Sequence, residues 1–157
     1  MSKPIPSARS LGGEGRVNPS LNGRPTLVDT NIFLRYLVIE DEGKAERCRL
    51  LFERTVAGEE RLYSTSLVIA ELVWVLQRLY GWERGEIAES LALILQTHNL
   101  HFAEASMLLA ALETYARSGV DFIDAYHAAL LEEGGERRLY SYDEDFDKIA
   151  GLERVEP

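Results

Sequence analysis

The stretch Leu27-Val28-Asp29-Thr30-Asn31 closes a short apolar run on an acid, and a helical pattern follows in Ile32-Phe33-Leu34-Arg35-Tyr36-Leu37. A brief aliphatic run opening directly into a helical period reads as a buried strand feeding a helix, which sets Asp29 at the carboxyl end of that strand. The same alternation recurs along the chain. Strands are expected over residues 26–29, 61–64, 100–102, 138–141 and 153–155, and helices over 31–37, 42–56, 65–80, 83–97, 105–118 and 121–133. Gly58, Gly81, Gly119 and Gly134 stand just past four of these helices, where left-handed caps are common. Strands separated by helices imply parallel pairing with helices on both faces, an α/β fold. In open sheets of this kind ligands bind beyond the carboxyl ends of the strands. Asp29 and Asp143, each following a strand, are therefore expected to face one crevice.

The bulk composition sets the frame around that motif. At 157 residues, with 46% hydrophobic and 27% charged residues, the chain has the size and balance of one globular domain. Residues 1–24 are rich in Gly, Ser, Pro and Asn and are expected to form a flexible leader, with the folded domain over 25–157. The single cysteine, Cys48, cannot form an internal disulfide or a thiolate metal site, which fits a reducing cytoplasm. No stretch approaches the roughly 18 consecutive apolar residues of a membrane span. A formal charge of −9 argues against a broad basic face for coating nucleic acid. It is compatible with a nuclease, because acids gathered around metal ions count as negative until the metals bind. Arg35, Arg78 and Arg84 could flank a cleft, although solvated helix surface is the simpler reading of each.

Four acids stand where neutral residues would be ordinary. Asp29 follows the first strand, where an N-cap of the next helix is a rival explanation. Glu71 has Leu67, Val68, Trp74 and Val75 as its helical neighbours, a chiefly apolar surface on which a buried carboxylate costs on the order of several kcal/mol unless paired or metal-bound. Asp121 and Asp124 are three apart and share a helix face; Asp121 suits an N-cap, and Asp124, a turn inside, suits ligation better. Asp143 follows the strand at 138–141, with Asp145 and Asp147 beside it in a pattern that also fits a solvated turn. Converging carboxylates repel one another unless a cation holds them, and hard divalent cations such as Mg²⁺ or Mn²⁺ prefer oxygen ligands. Such an ion lowers the pKa of a water and stabilises charge on a reacting phosphodiester.

The remaining chemistry-bearing residues offer little competition. His98 and His101 have no partner at zinc spacing, and His127, one turn after Asp124, reads as structural before catalytic. There is no Gly-x-Ser-x-Gly elbow and no phosphate loop of the Gly-x-x-x-x-Gly-Lys type.

With those residues in view, the chain resembles PIN-domain proteins, most closely the VapC-type toxins of bacterial and archaeal toxin–antitoxin pairs. The marks are Leu27-Val28-Asp29-Thr30-Asn31, Ser66-Leu67-Val68-Ile69-Ala70-Glu71-Leu72, Asp121-Phe122-Ile123-Asp124-Ala125 and Ser141-Tyr142-Asp143-Glu144-Asp145-Phe146, in that order across residues 26–155. The resemblance implies a PIN-like α/β/α sandwich with a short central parallel sheet and a metal-dependent endoribonuclease. Asp29, Glu71, Asp124 and Asp143 match the family's acidic quartet as catalytic residues and ligands of Mg²⁺ or Mn²⁺, with Asp121 and Asp145 in support. Thr30 or Asn31, and Ser141 in place of the commoner threonine, match polar positions that hold the quartet. In-line attack of water would leave a 5′-phosphate and a 3′-hydroxyl. An RNA substrate, a cognate antitoxin, a homodimer and a cytoplasmic location are implied with it. Helices 65–80 and 83–97, with Trp74, Tyr80 and Trp82, are candidates for dimer or antitoxin contacts, against ordinary core packing. Two rivals remain: a non-catalytic PIN-fold module that binds RNA or protein, and a phosphohydrolase of haloacid-dehalogenase type. The latter needs a second acid two residues after the first, where this chain has Asn31.

Overall fold

The structure is a computed structural model and describes residues 24–157. The leader expected over 1–24 lies, but for Arg24, outside the described residues. The elements run β1 (Thr26–Leu27), α1 (Thr30–Leu37), α2 (Glu42–Val56), β2 (Leu62–Ser64), α3 (Ser66–Arg78), α4 (Arg84–Leu95), β3 (Leu100–Phe102), α5 (Ala105–Ser118), α6 (Phe122–Glu133), β4 (Arg138–Tyr140), a 3₁₀ helix (Glu144–Lys148) and β5 (Glu153–Val155). The α/β class holds. The described chain divides into two compact units, one of residues 24–72 with Leu93–Ala103, the other of Val73–Ala92 with Glu104–Pro157.

The first unit is built on a parallel sheet in the order β1-β2-β3, with Thr26 opposite Leu62 and Leu62 opposite Leu100. Leu62 and Ser64 in β2, and Leu100 and Phe102 in β3, alternate inward on the period of two that a pleated strand dictates. Phe33 of α1 stacks on Phe52 of α2 at 5.5 Å between ring centroids and lies 6.4 Å from Phe102, so an aromatic cluster ties both helices to the sheet. Tyr36 meets Phe52 edge-on at 5.0 Å, and burial pushes its hydroxyl up to about 12. Asp41 caps α2, accepting from Lys44 N at 2.9 Å, which fixes the start that the charge pattern suggested.

In the second unit α5 and α6 pack against each other through small and large apolar residues, among them Leu108, Ala111, Leu112, Ala125, Ala128 and Ala129. Gly119 ends α5 at φ 75°, the left-handed conformation glycine reaches without steric cost. The strand at 138–141 departs from expectation, because β4 pairs in parallel with β5 as a separate two-stranded sheet and does not extend the β1-β2-β3 sheet. Its composition accounts for this: Arg138 and Tyr140 are exposed and Leu139 half-buried, whereas a strand inside a parallel sheet is covered on both faces.

Candidate active site

In the first unit the acids are fixed one at a time. β1 delivers the chain to Asp29, whose extended backbone (φ −90°, ψ 173°) places it as the N-cap of α1, with Oδ1 accepting from Ile32 N at 3.4 Å. The capping reading is therefore correct, and it engages one of two carboxylate oxygens. Thr30, buried in the first turn, donates its hydroxyl to Glu71 Oε2 on α3, so a neutral donor orients that acid. Asn31 beside it is exposed. Ser64, at the end of β2, donates to the carbonyl of Val28 at 2.8 Å and joins the carboxyl ends of β1 and β2 immediately before Asp29. The sequence reading passed over Ser64; its signal is a hydroxyl at a position that the strand alternation turns inward.

The expected burial of Glu71 is corrected. Glu71 is exposed, and on the same helix Leu67 is 78% and Trp74 57% exposed, so its apolar neighbours are surface residues. The desolvation cost anticipated for this carboxylate does not arise, and for Trp74 the core-packing reading fails.

In the second unit the acids act on one another. Asp124, half-buried in the first turn of α6, has its carboxyl pushed above the usual range by burial and then by the charges of Asp143 and Asp121, with Asp145 adding to the effect and His127 opposing it. Asp121 occupies the N-cap position without a side-chain capping bond; its carboxylate lies 3.6 Å from Arg84 Nη2. Ser141 Oγ accepts from Asp143 N at 2.9 Å, and Asp143 Oδ1 accepts from Asp145 N at 2.9 Å, which starts the 3₁₀ helix where a plain turn was the rival reading. Lys148 Nζ reaches Asp145 Oδ1 at 2.5 Å. Arg154 donates to both oxygens of Asp147, at 3.0 and 3.1 Å, and to the carbonyl of Ser141 at 3.2 Å, bracing the same turn.

Arg84 is not the solvated residue its position suggested. Its guanidinium donates to the carbonyls of Val120 and Tyr115 and lies 4.6 Å over the Tyr115 ring, which ties the start of α4 to the loop preceding Asp121. Nothing short of the folded contacts would have revealed this.

Among the described residues no three His, Cys, Asp or Glu side chains stand close enough to share a metal ion. The donor chemistry nonetheless suits a hard cation, since Mg²⁺ keeps several waters and binds through one or two carboxylates. Asp124, whose ionisation the neighbouring Asp143 charge disfavours, offers with Asp143 such a pair, and a cation there would relieve the repulsion. His98 Nδ1 is engaged by the Asn99 amide at 2.9 Å, and His101 and His127 are exposed.

A short parallel sheet with an acid at the carboxyl end of its first strand defines a class, and a family model of the PIN domain matches residues 26–152; the chain belongs to the PIN-domain family. Along 131 residues it is 29% identical to the VapC ribonuclease of Aquifex aeolicus (strain VF5), covering 83% of this chain and 96% of that protein. The family expected from the four acidic motifs is the one found.

Proposed function

We propose that this PIN-domain chain is an endoribonuclease, the toxin of a type II toxin–antitoxin pair, and that it hydrolyses RNA phosphodiester bonds with Mg²⁺ or Mn²⁺ in the cytoplasm. The observation that carries the reading is the likeness to a VapC ribonuclease over nearly all of that protein. Asp29, Glu71, Asp124 and Asp143 are the catalytic and metal-holding residues in this reading. When bound, the cation supplies positive charge for the phosphate and lowers the pKa of a water.

The chain's own residues do the positioning. Asp29 is held in direction by the cap it makes on α1, Glu71 by the Thr30 hydroxyl, and Asp143 by Ser141 from below and Asp145 from its own turn. Because these three acids are oriented through backbone or hydroxyl donors, the bonds fix them without neutralising their charge, as an outer shell should. The exposed Trp74 supports a docking role toward an antitoxin or a second copy in a homodimer. No helix among the described residues is long and apolar enough to cross a membrane.

Cleavage of a labelled RNA by wild type in Mg²⁺, abolished by chelator and lost in Asp29→Asn, is the expected result. The substitution keeps a residue that caps helices well, so the fold is retained. Equal activity in Asp29→Asn, or cleavage that persists in chelator, overturns the proposal.

A further inference from the structure

The first unit contains a cleft of about 570 Å³ between α1 and α2. Four cations line it, Arg35, Lys44, Arg47 and Arg54, and no acid does, in a chain of formal charge −9. Asn31 and Ile32 form its other edge, and Ile32 N is the group that Asp29 caps, so the basic cleft opens beside a proposed catalytic acid. Leu51 and the buried Cys48 give it an apolar floor.

We infer that this cleft is a subsite for the phosphate backbone of the RNA strand flanking the scissile bond, an inference that rests on the ribonuclease reading. The charge balance supports it. Elsewhere the chain is predominantly acidic and would repel a polyanion, so a local concentration of cations is where a strand can be drawn in and held. The present partners of these cations are weak competitors. Arg35 pairs with Glu40 at 2.5 Å, Lys44 with Asp41 at 3.6 Å and Arg54 with Glu60 at 3.5 Å, all at partly exposed positions where an ion pair contributes little. Arg47 enters no salt bridge among the described residues. A phosphate offers guanidinium groups a bidentate acceptor, which a single exposed carboxylate at 3.5 Å does not match. The cations reach phosphates and not base edges, so the subsite adds affinity and register without sequence preference.

The test measures binding of a fluorescein-labelled single-stranded RNA to the full chain carrying Asp29→Asn, so that nothing is cut, over a range of salt. Adding Arg47→Ala should weaken Kd roughly three- to tenfold and lower the salt slope by about 0.7, the contribution of one phosphate contact on a single strand. Lys44→Ala with Arg47→Ala should lower it further, and Arg47→Lys should restore most of the affinity. In the otherwise wild-type chain the same changes should raise KM and leave kcat in place. Unchanged Kd, slope and KM in both alanine variants overturn the inference. So does RNA binding that survives while affinity for poly-glutamate is lost, which would make the cleft a seat for an acidic protein segment. If the wild-type chain cuts RNA and the variants behave like it, the subsite alone falls; if the wild-type chain neither binds nor cuts RNA, the ribonuclease reading falls with it.

Discussion

The two units differ in how some of their buried polar groups are met. In the first, the buried threonine and serine hydroxyls have acceptors: Thr30 serves Glu71, Ser64 the Val28 carbonyl, Thr55 the Leu51 carbonyl at 2.8 Å and Thr97 the Leu93 carbonyl at 3.0 Å. In the second, the Tyr115 hydroxyl is buried without a partner, and Asp124 is pressed by burial and by the acids around it. A satisfied polar network rigidifies and specifies a fold, whereas unsatisfied groups are tolerated where they serve function or where packing leaves no alternative. The first unit thus reads as a scaffold that aims its acids, and the second as the place where charge is held against its own preference.

The largest effect that separates these roles is expected at Asp124. Asp124→Asn removes a carboxylate whose ionisation the fold opposes, so in metal-free buffer the variant should unfold at equal or higher urea concentration than wild type. RNA cleavage in the same variant should fall by roughly 10²–10³, the scale of losing one charged group that acts on the transition state. A stability loss alongside the activity loss would show that Asp124 is structural, and the contrast between the units would dissolve.

Next in size is Thr30. Thr30→Val keeps the shape and removes the donor to Glu71, and a group that orients a catalytic ligand typically costs about 10- to 100-fold when removed. Thr30→Ser should restore most of the activity, because the hydroxyl and not the methyl carries the effect. The rate of RNA cleavage at saturating Mg²⁺, measured for both, decides; activity kept in the Val variant and lost in the Ser variant would assign the effect to packing of the buried methyl.

Why these positions could be anticipated, and others could not, follows from the range of the forces involved. The limits of α2 match the sequence expectation residue for residue, because Asp41 and the glycine at 58 act within a few residues of the ends they set. The end of α5 at Gly119 is legible for the same reason. Asp29 was legible as an acid after a strand and as a cap, and both descriptions are true of it. Periodicity says which side chains share a face, but not whether that face is covered, and so Glu71 and Trp74 were placed against a core that does not cover them. Strand partners are chosen by long-range packing, which left the separate pairing of β4 with β5 invisible. Arg84 escaped because its acceptors, the carbonyls of residues 115 and 120, lie more than thirty positions away.

A smaller effect should follow from the unpartnered hydroxyl in the second unit. Burial pushes the Tyr115 hydroxyl above its ordinary pKa, and no acceptor compensates for its lost water. Tyr115→Phe deletes that oxygen while keeping the ring under the Arg84 guanidinium and against Phe122. Chemical denaturation should show a change between zero and about 1 kcal/mol in favour of the variant, since replacing an unsatisfied buried polar group by an apolar one is neutral or stabilising. A loss of more than about 1 kcal/mol would mean the hydroxyl is satisfied in solution, and would weaken the contrast drawn between the units.

The smallest effect tests whether crowding of acids, rather than membership of the second unit, sets the behaviour of Asp124. Asp147 belongs to the same unit, yet its carboxyl is held below the usual carboxylate range by the Arg154 guanidinium. Its folded value is depressed, so the folded state binds this proton less readily than the unfolded chain does. The stabilisation is present above the ordinary carboxylate pKa and is lost as pH falls through the lowered folded value. Asp147→Asn should therefore show a lower urea midpoint than wild type near neutral pH, and the difference should close as the pH is taken below the carboxylate range. Asp124→Asn should do the reverse, its advantage being greatest where Asp124 is ionised and vanishing in acid, where both proteins carry a neutral group at that position. If both variants shift in the same direction with pH, the two aspartates share one environment, and the partner each acid meets is not what distinguishes them.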